Sequence, residues 1–379
     1  MKRSLIILIS IIAVAAAIRL VVAIRCDVAP DYSDMAIYNE LALSDHIVIS
    51  PPPGYPLFLK AIYSIFGTKN YRAVFIVQAL ISTFTVFAAF LIGRKVCGER
   101  TGLIAAGIFA IYPNFIVYTL TTLTETLALL VTMLILGILV WNIDDRRKAV
   151  LAALTIFAGC FIRPAFLYFW PGTFLSVSRK KIFLITTGAV IAPAIIFMAI
   201  SGNVPNRGAL AFYKTYNPRA TGLSNYDFSE TELESRDLPI STYMRESFRF
   251  IAGNKWRTMD ILHKKCSLLF SRGFDTFVMR NLVDNDPDVS NILYYGYLPV
   301  LILGVAGMLR RYNRKNRGVM WPALSYLVFF ILLAMFKIRY RLLAEPSLII
   351  FTSILLGGSC GKERQEDRSM ESSTIPPGE

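Results

Sequence analysis

The chain has 379 residues, of which 55% are hydrophobic and 17% are charged, with a mean hydropathy of +0.51. A water-soluble domain of this length carries more charge and fewer long apolar runs, so the composition excludes that class. The net charge of +14 is compatible with nucleic-acid binding, but the basic residues form short clusters between apolar runs. We therefore predict no nucleic-acid partner.

Apolar runs recur along the chain, and most approach the ~20 residues that cross a hydrocarbon layer. They lie near residues 4–24, 72–93, 102–120, 124–142, 149–163, 165–177, 182–200, 291–309, 319–336 and 342–358. These runs predict an all-α polytopic membrane protein with about 10 transmembrane helices. The step Arg163-Pro164 separates two short runs, which could also be one broken or re-entrant element.

The basic clusters predict the orientation of these helices. All of them lie on one side of the membrane when the N-terminus is cytoplasmic, as the positive-inside rule requires. The clusters are Arg94-Lys95 with Arg100, Arg146–Lys148, Arg179–Lys181, Arg310–Arg317, and Lys362, Arg364 and Arg368 in the tail. We therefore predict an integral protein of the plasma membrane with both termini in the cytoplasm.

The same topology divides the chain into four regions. It predicts an N-terminal transmembrane region (1–200) with a first external loop (25–71), an external region (201–290), C-terminal transmembrane helices (291–358) and a disordered cytoplasmic tail (359–379). Within the external region, 243–272 mixes apolar and basic residues. This pattern predicts an amphipathic helix in the headgroup layer, or a helix packed on its own domain.

Acidic residues in the first external loop are candidates for catalysis. Asp34 and Tyr38 open a run with helical spacing, and Asp31 precedes them by three positions. A carboxylate in the first turn stabilises a helix through its dipole, and a carboxylate where water meets the bilayer also suits a general base. The residues alone leave both interpretations open.

Glu125 is a second acidic candidate, at the outer mouth of an apolar run. An ionisable group at this depth is a functional-site hypothesis. The spacing Thr122-x-x-Glu125 is also a capping box, which would explain the residue without catalysis.

Basic residues on the external side form a third candidate group. Lys337, Arg339 and Arg341 form a short turn between two apolar runs, against the positive-inside trend, and Arg163 lies on the same side. Guanidinium groups bind phosphate bidentately, although such residues also snorkel to lipid headgroups. Arg19, a charge inside the first apolar run, is a lesser candidate.

These elements together resemble the GT-C glycosyltransferases of the protein O-mannosyltransferase and lipid A aminoarabinose transferase type. Asp34 and Tyr38 match an Asp-Glu-x-x-Tyr element of that family, and Pro52–Leu57 matches its Pro-Pro-x-Tyr-x-x-Leu element. Met35 departs from the pattern where a second acid is usual, and Ser50-Pro51 depart from it where a basic residue often stands. The match is best over residues 1–125.

The resemblance implies a GT-C-like bundle with external juxtamembrane helices and gives the candidate residues roles. Asp34 would be the catalytic base, with Asp31 as the alternative, and Glu125 would be a second catalytic acid. Residues expected to bind the donor phosphate are Arg339, Arg341, Arg163 and Lys337. Tyr38 and Tyr55 would contact substrate through their rings.

The implied activity is inverting transfer of a hexosyl or pentosyl group from a polyprenyl-phosphate carrier to a lipid, glycan or protein hydroxyl outside the cytoplasm. We expect no cofactor, although some GT-C enzymes use a divalent metal. Two other classes stay open: a transporter or flippase of lipid-linked saccharide, and an O-antigen ligase or polymerase-type enzyme. The former would favour inverted repeats and midplane charges on several helices.

Overall fold

The protein is a bundle of α-helices joined by short loops and 3-10 turns. The computed structural model describes residues 2–27, 29, 34–44, 51–201, 207–220, 239–271, 287–313, 316–333 and 338–358, and these contain no β-strand. The helices are α1 (Lys2–Arg25), α2 (Asp34–Leu43), α3 (Gly54–Phe66), α4 (Tyr71–Cys97), α5 (Glu99–Ile111), α6 (Pro113–Val117), α7 (Glu125–Val140), α8 (Asp145–Ile162), α9 (Trp170–Ser176), α10 (Lys180–Ser201), α11 (Arg207–Thr215), α12 (Ile240–Gly253), α13 (Lys255–Leu268), α14 (Pro287–Arg311), α15 (Arg317–Leu333) and α16 (Glu345–Gly357).

Each predicted apolar run corresponds to helical structure in this bundle. Helices α1, α4 and α14 are long and apolar enough to cross a membrane, and α5 with α6 would form a fourth span bent by 54°. Helices α7, α15 and α16 are apolar but shorter. The predicted all-α membrane fold is confirmed, while the count of about ten spans stays a prediction.

The bend between α5 and α6 has a local cause. Pro113 has no backbone N–H, so the helix cannot continue its hydrogen bonds through this position. Arg19 supplies the missing donors: its Nη2 donates to the carbonyl of Phe109 at 2.8 Å and its Nη1 to that of Ala110 at 2.7 Å. Arg19 is fully buried, and its Nε also donates to Ser82 Oγ. These contacts give this intramembrane charge a structural role in joining α1 to the bend.

A second break occurs at Arg163-Pro164, where the sequence separates two short apolar runs. Helix α8 ends at Ile162, Arg163 is extended with φ −155° and ψ 119°, and residues 164–169 form a 3-10 turn that leads into α9. A residue before proline is driven towards extended backbone, which explains the conformation of Arg163. The chain therefore breaks between the two runs, and their forming one broken or re-entrant element stays a prediction.

Residues 207–220 and 239–271 form a polar helical unit with its own small core. Phe212 of α11 and Tyr216, which follows that helix, pack there with Phe250 of α12 and Ile261 of α13. The opposite face exposes apolar side chains, including Trp256 at 89%. Residues 243–272 were predicted to form either an amphipathic helix in the headgroup layer or a helix packed on its own domain. Packing within the polar helical unit explains why one face of these helices is buried.

Candidate active site

Four charged side chains from distant parts of the chain meet at one place, and we call them the charge cluster: Asp34, Glu125, Arg163 and Arg339. Arg339 Nη2 lies 2.5 Å from Asp34 Oδ2, and its Nε lies 3.9 Å from Glu125 Oε1. Arg163 Nη1 donates to the same Glu125 oxygen at 3.1 Å. Arg339 therefore connects two carboxylates, one of which is shared with Arg163.

Exposure differs sharply within the charge cluster. The Glu125 side chain is 1% exposed, and those of Arg339 and Arg163 are 8% and 10% exposed. Asp34 is 44% exposed. A ligand would therefore reach Asp34 first, with the buried charges beneath it.

The helices that carry the two acids begin at these residues. Asp34 is the first residue of α2 and Glu125 the first of α7. The N-cap of α7 is Thr124, whose side chain makes no capping bond to the backbone, whereas a capping box requires the acid three positions after its cap. The predicted capping box is therefore not the arrangement found, and the Glu125 carboxylate is bound by arginine.

Tyr340 contacts both arginines of the charge cluster. Its ring centroid lies 4.6 Å from Cζ of Arg163 and 5.4 Å from Cζ of Arg339. The ring face attracts both cations, and the Tyr326 hydroxyl donates to the Tyr340 carbonyl at 2.9 Å. This packing holds two like charges close together near one carboxylate.

Tyr38 lies beside the charge cluster, one turn after Asp34 on α2. Burial raises the pKa of its phenol well above the usual range, and the charges of Asp34 and Glu125 raise it further. The phenol therefore stays protonated at physiological pH and can donate a hydrogen bond. Its ring packs edge-on against Tyr55, with 5.4 Å between centroids.

The Pro-Pro-Gly-Tyr-Pro motif brings α3 against the end of α8. A Cβ on Gly54 would stand 2.6 Å from the carbonyl oxygen of Phe161, so this close approach requires glycine. Pro53 is the N-cap of α3 and Pro56 lies in its first turn, where a missing N–H costs little. The motif thus places Tyr55 next to the helix end that carries Arg163.

Gln78, which was not among the predicted site residues, organises the loop before Glu125. Its Oε1 accepts from the Tyr55 hydroxyl at 3.1 Å, and its Nε2 donates to the carbonyls of Thr119 and Thr121 at 3.0 and 2.8 Å. Tyr55 is fully buried, so the structure gives it a supporting position behind Tyr38. Its predicted contact with substrate stays a prediction.

Arg341 lies in a separate set of contacts, which we call the Glu345 cluster: Arg341, Glu345, Asn114 and Tyr297. Arg341 Nε donates to Glu345 Oε1 at 3.3 Å, and Asn114 Nδ2 lies 3.3 Å from Oε2. The Tyr297 ring centroid is 3.6 Å from Cζ of Arg341. Both charged side chains are at most 5% exposed. The predicted role of Arg341 in phosphate binding stays a prediction beside this structural one.

Two predicted site residues, Asp31 and Lys337, lie outside the described residues, as does the tail 359–379. Within the described ranges, no group of three or more His, Cys, Asp or Glu side chains has a geometry that could hold a metal ion. The expectation that the activity needs no metal stays a prediction.

Comparisons with known proteins agree with this architecture. A family model for dolichyl-phosphate-mannose-protein mannosyltransferases matches residues 50–205, which contain Glu125, Arg163 and the Pro-Pro-Gly-Tyr-Pro motif. Comparison with curated protein sequences gave no match.

Two solved structures resemble the chain at low sequence identity. One is ArnT from Cupriavidus metallidurans bound to undecaprenyl phosphate, with a TM-score of 0.51 and 13% identity over 96% of this chain and 63% of that one. The other is the apo oligosaccharyltransferase of Archaeoglobus fulgidus, with a TM-score of 0.48 and 14% identity over 99% of this chain and 52% of that one. The chain spans between half and two thirds of the length of these structures. The likeness to ArnT confirms the predicted GT-C-like fold. The family model covers residues 50–205, which is less than half of the chain.

Proposed function

We propose that the chain is an inverting glycosyltransferase that moves a sugar from a polyprenyl-phosphate carrier to an acceptor hydroxyl. The observation that carries this proposal is the contact between Asp34 and Arg339. It joins a half-exposed carboxylate to a nearly buried guanidinium across 305 positions of sequence. A base for the acceptor and a cation for the leaving phosphate are the two groups that the reaction needs side by side.

In this mechanism Asp34 takes the proton of the acceptor hydroxyl as its oxygen bonds to the anomeric carbon. The bond from that carbon to the phosphate oxygen breaks, and its electron pair stays on the lipid phosphate. Arg339 and Arg163 stabilise this charge inside a weakly hydrated site, where such stabilisation is strong. One displacement at the anomeric carbon inverts its configuration.

Donor binding changes the partners of Asp34 in this proposal. The guanidinium of Arg339 has five N–H donors and can turn part of its fork to a phosphate. Asp34 then accepts a hydrogen bond from the acceptor instead. Glu125 keeps both arginines in place, since its carboxylate lies between them.

The likeness to ArnT supports a lipid-phosphate donor, because that structure contains undecaprenyl phosphate. The basic loops support an extracytoplasmic site, because they lie at the helix ends opposite to the charge cluster in the predicted topology. The acceptor class is a lipid, glycan or protein hydroxyl, and the sugar a hexose or pentose.

The test is transfer from a panel of radiolabelled polyprenyl-phosphate sugars by the purified protein in detergent. We expect Asp34→Asn to lower turnover by about 10³-fold, within the range of general-base removal, while donor binding is kept. Asp31→Asn tests the alternative base. Asp27→Asn is the matched control, because Asp27 also pairs with an arginine, Arg72 at 2.6 Å, but on an exposed surface.

Each outcome assigns the function differently. Loss in Asp34→Asn alone supports the proposal, and loss in Asp31→Asn alone moves the base three residues upstream. If the wild type binds the lipids but transfers no sugar to any acceptor, the glycosyltransferase proposal is overturned and lipid-linked saccharide transport becomes the better explanation.

A further inference from the structure

Lys265 is a buried lysine that the proposed mechanism does not use. Its side chain is almost fully buried, and Nζ donates to the carbonyl of Ile331 at 2.8 Å. The ammonium also lies 4.9 Å from the ring centroid of Tyr216. Burying an ammonium group costs free energy that burying an apolar side chain does not cost. The buried contact between Lys265 and the Ile331 carbonyl therefore needs an explanation.

Tyr216 contacts the same end of α15 as Lys265. Its hydroxyl donates to the carbonyl of Leu332 at 2.7 Å. The last carbonyls of a helix have no partner within the helix, and a cation near them interacts well with the helix dipole. Lys265 of α13 and Tyr216, which follows α11, therefore cap α15 from two parts of the polar helical unit.

Helix α15 ends at Leu333, six positions before Arg339 along the chain. The other side of the connection contacts the same unit, since Arg341 Nη1 donates to the carbonyls of Leu269 and Ser271 at 3.4 and 3.5 Å. The polar helical unit thus contacts the chain both before and after Arg339.

Helix α15 also contacts the turn directly. The Tyr326 hydroxyl donates to the Tyr340 carbonyl, and the Phe330 ring lies 4.5 Å from the ring of Tyr340 between centroids. Tyr340 is the residue that packs against both arginines of the charge cluster. A shift of the outer end of α15 would therefore be transmitted to the position of Arg339.

We infer that Lys265 and Tyr216 are positioning residues that fix Arg339 for the donor phosphate by holding the end of α15. This inference rests on the proposed function, because it assigns the donor phosphate to Arg339. It gives the polar helical unit a role in donor affinity, although its helices contribute no side chain to the charge cluster.

The test compares Lys265→Met with Lys264→Met in the full-length purified protein. Lys264 is the adjacent lysine, but it is exposed and pairs with Asp260 on the same helix. We expect Lys265→Met to raise the donor KM about tenfold, as the loss of one hydrogen bond to a buried carbonyl would, with the acceptor KM unchanged. Lys264→Met should leave both unchanged, and Lys265→Arg should restore part of the donor affinity.

A milder variant and a packing control separate positioning from general loosening of the fold. Tyr216→Phe removes only the hydroxyl that contacts Leu332, and it should shift the donor KM in the same direction. Ile261→Ala removes packing from the core of the polar helical unit and leaves in place the hydrogen bonds of Lys265 and Tyr216 to α15. If Ile261→Ala raises the donor KM as much as Lys265→Met does, the positioning role is overturned.

A binding assay keeps this inference distinct from the proposed function. Equilibrium binding of undecaprenyl phosphate, which carries no sugar, should weaken about tenfold in Lys265→Met. If the wild type transfers sugar and binds this lipid, but Lys265→Met does so equally well, the inference fails and the proposed function stands. If the wild type neither binds the lipid nor transfers sugar, the proposed function itself fails.

Discussion

Two arginines in one short turn have opposite surroundings. Arg339 pairs with Asp34, whose side chain is 44% exposed, whereas Arg341 pairs with Glu345, which is 1% exposed. The first pair can exchange partners with a ligand, while in the second the protein already surrounds both charges. The two arginines of this Arg-Tyr-Arg turn therefore differ in what they can bind. Arg341 holds the turn to the bundle, whereas in the proposed function Arg339 contacts the donor phosphate.

The largest effect among the variants that test this contrast between Arg339 and Arg341 is expected for a substitution of Arg341. Arg341→Met leaves Glu345 buried without its cation, which typically costs about 3–5 kcal/mol of stability. We expect a lower melting temperature in detergent, and recovery of most of it in Arg341→Met/Glu345→Gln. If Arg341→Met melts normally but no longer binds the donor, Arg341 binds the phosphate and the two arginines have similar roles.

Arg339→Met should show the opposite pattern. Its partner Asp34 reaches water, so we expect a small change in melting temperature. Turnover should fall by about 10²–10³-fold, because the leaving phosphate loses a preorganised cation. Steady-state kinetics and thermal unfolding on the same preparation measure both quantities. A variant that is unstable but as active per folded molecule as the wild type would contradict the assignment.

Gln78→Leu probes the support behind the charge cluster, with a smaller expected effect. It removes both donors to the carbonyls of Thr119 and Thr121 and the acceptor for Tyr55, so we expect a loss of roughly 2–3 kcal/mol of stability. Tyr55→Phe, which removes one of these three bonds, should cost less. Equal losses in the two variants, measured by thermal unfolding, would show that the two backbone contacts contribute nothing.

The smallest effect concerns pH and the polar helical unit. Burial lowers the pKa of Lys265 from 10.5 to about 7. Between these values the unfolded chain binds more protons than the native chain, so stability rises with pH across this window and is lowest below about pH 7. The melting temperature of the wild type relative to Lys265→Met should therefore increase by a few degrees from about pH 7 to 10. If the difference in melting temperature between the two proteins does not change with pH, Lys265 is hydrated in the native state.

The membrane fold and the residues of the charge cluster were predictable from sequence to different extents. Apolar runs locate the helices because bilayer crossing demands continuous apolar sequence. Asp34, Glu125, Arg163 and Arg339 were each predicted as candidates, but the pairing of Asp34 with Arg339 spans 305 positions, and no local pattern encodes it.

Two other features of the structure, the Arg341–Glu345 pair and Gln78, correspond to sequence patterns that the predictions did not use. Arg341 and Glu345 stand at i and i+4, the spacing of helical ion pairs, and Gln78 is an amide inside a 27-residue apolar helix. Lys265 left no such signal. It differs from Lys264 only in the direction that its side chain takes, which packing with Tyr216 decides.

Arg19 is synthesised before the groups with which it forms hydrogen bonds at the bend after α5. Its acceptors, Ser82 and the carbonyls of Phe109 and Ala110, follow it by 63 to 91 positions. At a synthesis rate of roughly 5–20 residues per second, Arg19 is made about 3–18 s before those groups exist. During that interval the guanidinium needs water or other polar partners. The hydrogen bonds of Arg19 are therefore complete only once the fifth helix has been made.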